Sequence, residues 1–261
     1  MEDILNINRQ AWNNQAMQGE SPWVQPVDAQ AIAAARMGQW SVILTPTKPV
    51  PAQWFGDLSD CRLLALASGG GQQVPVFAAA GALVTSFDNS DAQLDKDAQV
   101  AERENLDITL EQGDMADLSR FQDASFDLIF HPVSNVFVPD VIPVWHECYR
   151  VLKPGGRLLA GFMNPCFFLF DHEDIERGGE FIAKFELPYN DPDHLSPAQI
   201  ETRMLAGGAV EFSHSLDDQI GGQLDAGFVL KGFYEDRWDN EATPLNQLMP
   251  TSMATLSIKP T

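Results

Sequence analysis

Residues 63–71 read Leu-Leu-Ala-Leu-Ala-Ser-Gly-Gly-Gly, an apolar run that breaks into three glycines. Glycine lets a backbone approach a ligand closely, and a helix opened by such a turn offers unpaired N–H donors. Ala67, Ser68, Gly69, Gly70 and Gly71 therefore form a candidate binding turn; the plainer reading is a tight connection. Asp88 ends the next apolar run, 19 residues after Gly69. A carboxylate there can take both ribose hydroxyls of an adenosine, although an Asp ending a strand also serves as a turn residue. His131-Pro132-Val133-Ser134-Asn135 and Asn164-Pro165 follow two later apolar runs, at the rim where open α/β sheets keep their ligand crevice. His131 is the first candidate to sit near the reacting atom, against the alternative of a histidine bonded at a strand end. Asn135, Asn164 and Trp12 are candidate substrate contacts, and Trp12 reads equally well as the packed face of an amphipathic helix.

These residues need a scaffold. From residue 62 onward short apolar runs alternate with helical segments, which predicts a parallel sheet with crossover helices. Strands are expected at 63–67, 83–88, 108–111, 126–130 and 157–163. Helices are expected at 72–80, with Pro75 in the first turn and Gly81 as cap, and at 141–152, capped by Asp140 and stopped by Lys153-Pro154-Gly155-Gly156. Before them, 4–17 and an Ala-rich stretch from Asp28 to Arg36 read as helices. After residue 163 the rhythm breaks until about 213. It resumes with a helix at 216–226 and strands at 228–234 and 253–258. The chain divides into an N-terminal cap (1–60), a ligand-binding core (61–163), a lid insertion (164–213) and a segment completing the sheet (214–261).

Composition narrows the partners. The 261 residues carry 37 Asp and Glu against 16 Lys and Arg, a net charge of −21, which repels a phosphate backbone or an anionic membrane. Nucleic acid is not expected as a partner. Residues 63–87 contain no charged side chain or His, long enough for a membrane span, but Gly69-Gly70-Gly71-Gln72-Gln73 and Pro75 would put helix breakers at the bilayer centre. No membrane partner is expected either. Cys61, Cys148 and Cys166 form neither a C-x-x-C pair nor an even set, which suits a reduced, cytoplasmic protein, and the acidic N-terminus lacks the basic flank of a signal peptide. Asp171, His172, Glu173 and Asp174, with Asp191, Asp193 and His194, offer hard metal ligands. Adjacent acids in a loop read better as a solvated surface, and no metal is expected.

The dinucleotide fingerprint needs a third glycine for helix packing, and Val74 follows Gln72-Gln73 here. Tyr149 and Lys153 match the Y-x-x-x-K spacing of short-chain dehydrogenases, but Lys153 abuts a Pro-Gly-Gly turn at a helix end. With these residues in view, the chain resembles the class I S-adenosylmethionine-dependent methyltransferases over about residues 60–163. Leu64 to Gly71 is similar to the family's first motif, Asp88 to its ribose acid, and Gln112-Gly113-Asp114-Met115 to its adenine-binding segment. Phe126-Asp127-Leu128-Ile129, Glu147 and Arg150-Val151-Leu152-Lys153-Pro154-Gly155-Gly156-Arg157-Leu158 resemble its fourth strand, the following helix and the entry to its fifth strand.

The resemblance implies a Rossmann-like, doubly wound, seven-stranded and mostly parallel sheet with an antiparallel last strand. It also implies S-adenosylmethionine as cofactor and methyl transfer, here to a small-molecule acceptor. By the same resemblance the backbone of residues 67–71 faces the methionine portion, with donors from Gln72 and Gln73, and Asp88 holds the ribose. Asn89 flanks the adenine, Asp114 accepts from its amino group, and Met115, otherwise a core residue, packs on the ring. Glu147 and Arg150 position their helix. Two departures stand out: in the first motif Ala65 replaces an acid that commonly helps hold the aminoacid end and Ala67 a first glycine, and Phe137 stands where many small-molecule members carry a His ten residues before the position of Glu147, so no role is borrowed from that His. Ala65 and Ala67 suggest one rival, a non-catalytic regulatory or assembly subunit of the same fold; a second, less favoured, is an NAD-dependent oxidoreductase. A sulfonium methyl is already activated, so no catalytic dyad is required; if the acceptor arrives protonated, His131, His172 and His214 are the candidate bases. Phe167, Phe168, Phe170, Phe181, Phe185 and Tyr189 in the insertion suit an apolar or aromatic acceptor, or else the core of an accessory layer. The oligomeric state stays open.

Overall fold

The apolar run before the glycines forms strand β1 (Arg62–Leu66), in which Leu63, Leu64, Ala65 and Leu66 are fully buried. A strand apolar on both faces needs cover on both, which a parallel sheet flanked by helices provides. The computed structural model describes residues 2–19, 21–239 and 242–261. Its further strands are β2 (Leu83–Asp88), β3 (Ile108–Gln112), β4 (Phe126–His131), β5 (Leu152–Met163), β6 (Val229–Asp236) and β7 (Ser252–Ile258). They form one sheet in the order β3-β2-β1-β4-β5-β7-β6, in which β7 alone runs against the others. This is the doubly wound sheet with a reversed final strand that the sequence predicts.

Helices α1 (Glu2–Gln18), α2 (Ala29–Arg36), α3 (Val74–Ala79), α4 (Asp91–Glu104) and α5 (Ile142–Val151) precede the insertion, which carries the short helices α6 (His172–Glu176), α7 (Asp191–His194) and α8 (Pro197–Leu205). Local chemistry sets several ends. Asp28 caps α2 by accepting from Ala31 N at 2.8 Å, Ser90 caps α4 through Gln93 N, and Asp140 accepts from Ile142 N at the start of α5. Side-chain alternation along β1 sends Leu63 and Ala65 into one core with Phe77 and Phe130, and Leu64 and Leu66 into another with Ile129 and Trp145. Beneath the second core Glu147 accepts two hydrogen bonds from Arg150 at 2.7 Å and one from Leu118 N at 2.8 Å, and Arg150 also donates to the carbonyls of Leu118 and Phe121.

Three expectations shift. β5 begins at Leu152, which pairs with Phe126 ahead of a bulge, so the Lys-Pro-Gly-Gly turn lies within the strand. α3 starts at Val74, because Gln73 turns its side chain away to accept from Ile43 N. The segment expected as one helix at 216–226 is a π-helical turn (Asp217–Gly221) followed by α9 (Gly222–Asp225). At Gly222 a Cβ would lie 2.8 Å from the Trp145 ring, so this element packs its backbone directly on α5. Among the described residues no helix is long and apolar enough to cross a membrane; residues 63–87 fold into β1, the glycine turn, α3 and β2.

Candidate functional site

The carboxyl ends of β1 to β5 open onto a cleft of about 470 Å³. Its floor is the turn after β1. Ala67 has φ +49 and donates to Phe87 O at 2.7 Å, and Gly69 N donates to Asp88 Oδ2 at 3.0 Å, which ties the turn to the end of β2. Ser90 N reaches the other carboxylate oxygen of Asp88 at 2.9 Å. Burial pushes the Asp88 carboxyl up to about 6 against the pull of the backbone N–H groups of Ser90, Gly69 and Asn89. Asp114 closes the end of β3 with Oδ1 accepting from Ala116 N at 2.9 Å, and Met115 and Asn89 line the same wall. The Ser68 hydroxyl, on the floor, is buried without a hydrogen-bond partner.

Ala67, Ser68, Gly69, Asp88, Asn89, Asp114, Met115 and Trp12 are thereby brought to one cleft. Gly70 and Gly71 lie behind it. A Cβ at Gly70 would stand 2.6 Å from Trp23 O, and one at Gly71 2.9 Å from Lys96 O, so these glycines serve close backbone packing. His131 also lies off the cleft. It closes β4 in the core, fully buried, with Nδ1 3.0 Å from Leu66 O and its ring edge-on to Trp145, and burial lowers its pKa to about 4. The strand extends one residue further than expected, which turns this side chain to the α5 face. Asn135 is buried against Gln219, their amides exchanging hydrogen bonds at 3.0 and 3.1 Å. Asn164 caps the following turn through Cys166 N and donates to Pro250 O. Neither lines the cleft, and neither do His172, which stacks on Phe167, nor His214, whose Nε2 lies 3.0 Å from Asn135 O. Lys153 pairs with Asp127, away from the cleft, which removes the Y-x-x-x-K pair from its chemistry. No group of three metal-binding side chains occurs among the described residues, and the side chain of Glu173 lies outside them.

Two features escape the sequence reading. Asp97, in the middle of α4, is fully buried and accepts from Gly71 N at 2.8 Å and Ser86 Oγ at 2.7 Å. Ser86 is the β2 partner of Ala65, so α4 supplies a carboxylate to the glycine turn that β1 lacks. The second is the roof. α1 is tied at one end of the cleft by Asn13 to Ser90 and Asp91, and at the other by Asn8, which donates to Phe137 O and Val210 O and accepts from Val210 N. Trp12 packs edge-on against Phe137 at 5.2 Å, and Glu211 reaches the cleft from the segment bound by Asn8.

Residues 64–160 match the model of a methyltransferase domain. Over 259 residues the chain is 47% identical to an uncharacterized methyltransferase, YbaJ, of Bacillus subtilis (strain 168), covering 99% of this chain and 100% of the relative. The chain belongs to the class I S-adenosylmethionine-dependent methyltransferases. A ubiquinone biosynthesis O-methyltransferase of Xanthomonas oryzae pv. oryzae (strain PXO99A) is 30% identical over 148 residues, 55% of this chain and 60% of that one. An S-adenosylmethionine-dependent methyltransferase from Mesorhizobium loti shares the fold at a TM-score of 0.59 and 19% identity, over 79% of this chain and 94% of that one. S-adenosylmethionine is the methyltransferase's cofactor, and the cleft suits it in three respects: two strand-end carboxylates on its wall, an orphaned serine hydroxyl, and a floor of backbone in the turn after β1.

Proposed function

We propose that this enzyme methylates a small molecule in the cytoplasm, with the cofactor seated across the ends of β3, β2 and β1 and the acceptor beyond it toward β4 and β5. The observation that carries the reading is the cleft: about 470 Å³, roofed by α1 and the insertion, and walled by Trp12, Phe137, Met163, Phe167 and Phe168. That volume and lining are those of a small-molecule pocket. A net charge of −21 and a wall free of Lys and Arg argue against a nucleic-acid acceptor, the free Cys61, Cys148 and Cys166 suit a reducing compartment, and one relative is named as an O-methyltransferase of ubiquinone biosynthesis.

The cofactor supplies a methyl carbon already activated by its sulfonium. Asp88 would take the ribose hydroxyls, Asp114 would accept from the adenine amino group with Met115 on the ring and Asn89 beside it, and Ala67, Ser68 and Gly69 would face the methionine portion. Asp88 is held in place by Gly69 N and Ser90 N before any ligand arrives, so little ordering is left for binding. The aromatic wall and the α1 roof would exclude water from the reacting atoms and position the acceptor.

Calorimetry with S-adenosylhomocysteine, followed by transfer of labelled methyl from S-adenosylmethionine to panels of small molecules, RNA and protein, tests the reading. Labelled small molecules alone support it. Labelled RNA or protein with unlabelled small molecules overturns it.

A further inference from the structure

The two ends of the cleft treat their carboxylates differently. Asp88, Asp114 and Glu211 are the titratable side chains among the described residues of its wall, and no Lys, Arg or His stands with them. Asp88 accepts from Ser90 N in its own loop and Gly69 N in the adjoining turn, and Asp114 from Ala116 N in its own loop. The Glu211 carboxylate accepts no hydrogen bond and has no ion-pair partner among the described residues, although the residue is only partly exposed. The backbone around it is fixed on three sides: Glu211 N donates to Asp191 Oδ2 at 2.7 Å, Phe212 N to Val136 O at 2.7 Å, and Val210 N to Asn8 Oδ1 at 2.7 Å. Those bonds hold it beside the loop that follows β4, on the far side of β1 from Asp88 and Asp114.

A partly buried carboxylate without a partner is costly unless something arrives to pair with it. Arg203 attracts it from nearby but forms no hydrogen bond or ion pair with it, because its guanidinium is taken up at 2.8 Å by the buried Asp191, which also accepts from Tyr189 Oη at 2.9 Å. From these we infer that Glu211 anchors the acceptor, a small molecule with an apolar or aromatic body and an N–H or O–H donor, neutral or cationic but not anionic. The inference rests on the small-molecule reading of the cleft. The body lies on Trp12, Phe137, Phe167 and Phe168, and the donor meets Glu211. An anionic acceptor would face three carboxylates with no cation on the wall.

Electrostatics agree with the geometry. Burial pushes the Glu211 carboxyl up to about 7, opposed by Arg203 on α8 and reinforced by Asp191 on α7, with Tyr189 beside them; α1 contributes the uncharged Asn8 and Trp12 to this region. Near neutral pH the group is therefore partly protonated, and a cationic donor binding to it displaces a proton.

The test uses the full chain saturated with S-adenosylhomocysteine and three probes of similar body: phenethylamine, 2-phenylethanol and 3-phenylpropionate. Calorimetry at pH 6.5 in buffers of different ionisation enthalpy is expected to show the amine and the alcohol binding at least about tenfold more tightly than the carboxylate, with proton release accompanying the amine. Glu211→Gln is expected to weaken the amine by about tenfold or more and abolish the proton release, with S-adenosylhomocysteine affinity within about twofold of wild type, which also reports that the variant is folded. The comparison of probes on wild type stands without the variant. Equal affinity for amine and carboxylate, unchanged amine affinity in folded Glu211→Gln, or no binding of any probe to the loaded protein overturns the inference. Failure of S-adenosylhomocysteine itself to bind overturns the reading of the cleft instead.

Discussion

At the β2 and β3 end of the cleft every carboxylate is held by backbone donors of its own or the adjoining turn: Asp88 by Ser90 N and by Gly69 N, Asp114 by Ala116 N. At the β4 end Glu211 is held only through its backbone, by partners from α1, α7 and the loop after β4, and its carboxylate is left open. The first end is local and preorganised, as suits a ligand that never changes. The second is assembled from distant segments, and its shape is free to follow the acceptor without disturbing the first.

The same substitution at the two ends tests this contrast most strongly. Gly70→Ala places a Cβ 2.6 Å from Trp23 O at φ +123, with backbone on both sides of the contact. It should lower stability by about 2–4 kcal/mol and carry S-adenosylhomocysteine binding down with it, read by thermal melting and calorimetry. Gly207→Ala, at φ +84 but with its nearest neighbour, Gln15 Cβ, at 3.4 Å, should cost only about 1 kcal/mol and leave that affinity within about twofold. Equal losses at both sites would erase the difference.

Asp97→Asn comes next and should destabilise by about 1–3 kcal/mol, because two amide hydrogens replace the single proton of the carboxyl beside Ser86 and Gly71, and one is left buried without an acceptor. Its pH dependence has a sign. Burial raises the Asp97 carboxyl to about 7, outweighing the hydrogen bonds from Ser86 and Gly71, so the folded state keeps a proton that the unfolded chain releases near pH 4. The stability held by the protonated form is therefore present at the acid end of that window and lost as pH rises toward 7. The deficit of Asp97→Asn relative to wild type should be larger at pH 5 than at pH 8, measured by denaturant unfolding at both. A deficit that grows toward pH 8 would mean that the glycine turn is held by the ionised carboxylate.

Ala67→Gly is the gentlest probe. Alanine at φ +49 is strained by about 1 kcal/mol, offset in part by the greater freedom of glycine in the unfolded chain, so stability should rise by up to about 1 kcal/mol with cofactor affinity unchanged. A loss of stability would show that the Ala67 methyl packs productively.

Much of the first end is legible in the sequence because its determinants are close in the chain. The run 63–66, the glycines, Pro75, Gly81 and Asp88 follow one another within a single strand-turn-helix-strand unit, and each has a local physical reason to be where it is. His131 differs from its expected place by one residue of strand length, enough to turn a side chain from the rim into the core. Asn135 and Asn164 read as polar rim residues, but their amides are consumed by Gln219 and Pro250, partners 84 and 86 residues away. Asp97 sits in Asp-Lys-Asp-Ala-Gln, which reads as a solvated helix face until α4 packs against the glycine turn. Glu211 has no signal at all in Ala209-Val210-Glu211-Phe212. Its place is set by contacts to residues 8, 136 and 191, which no local pattern encodes.

The central claim is that Asp88 and the turn it holds form the cofactor seat. Calorimetric titration of S-adenosylhomocysteine into wild type and Asp88→Ala, with thermal melting to confirm that both are folded, tests it most directly. Wild type is expected to bind and the variant to bind more weakly by about 1–3 kcal/mol, the scale of hydrogen bonds to a charged group. Equal affinity in a folded Asp88→Ala would contradict it.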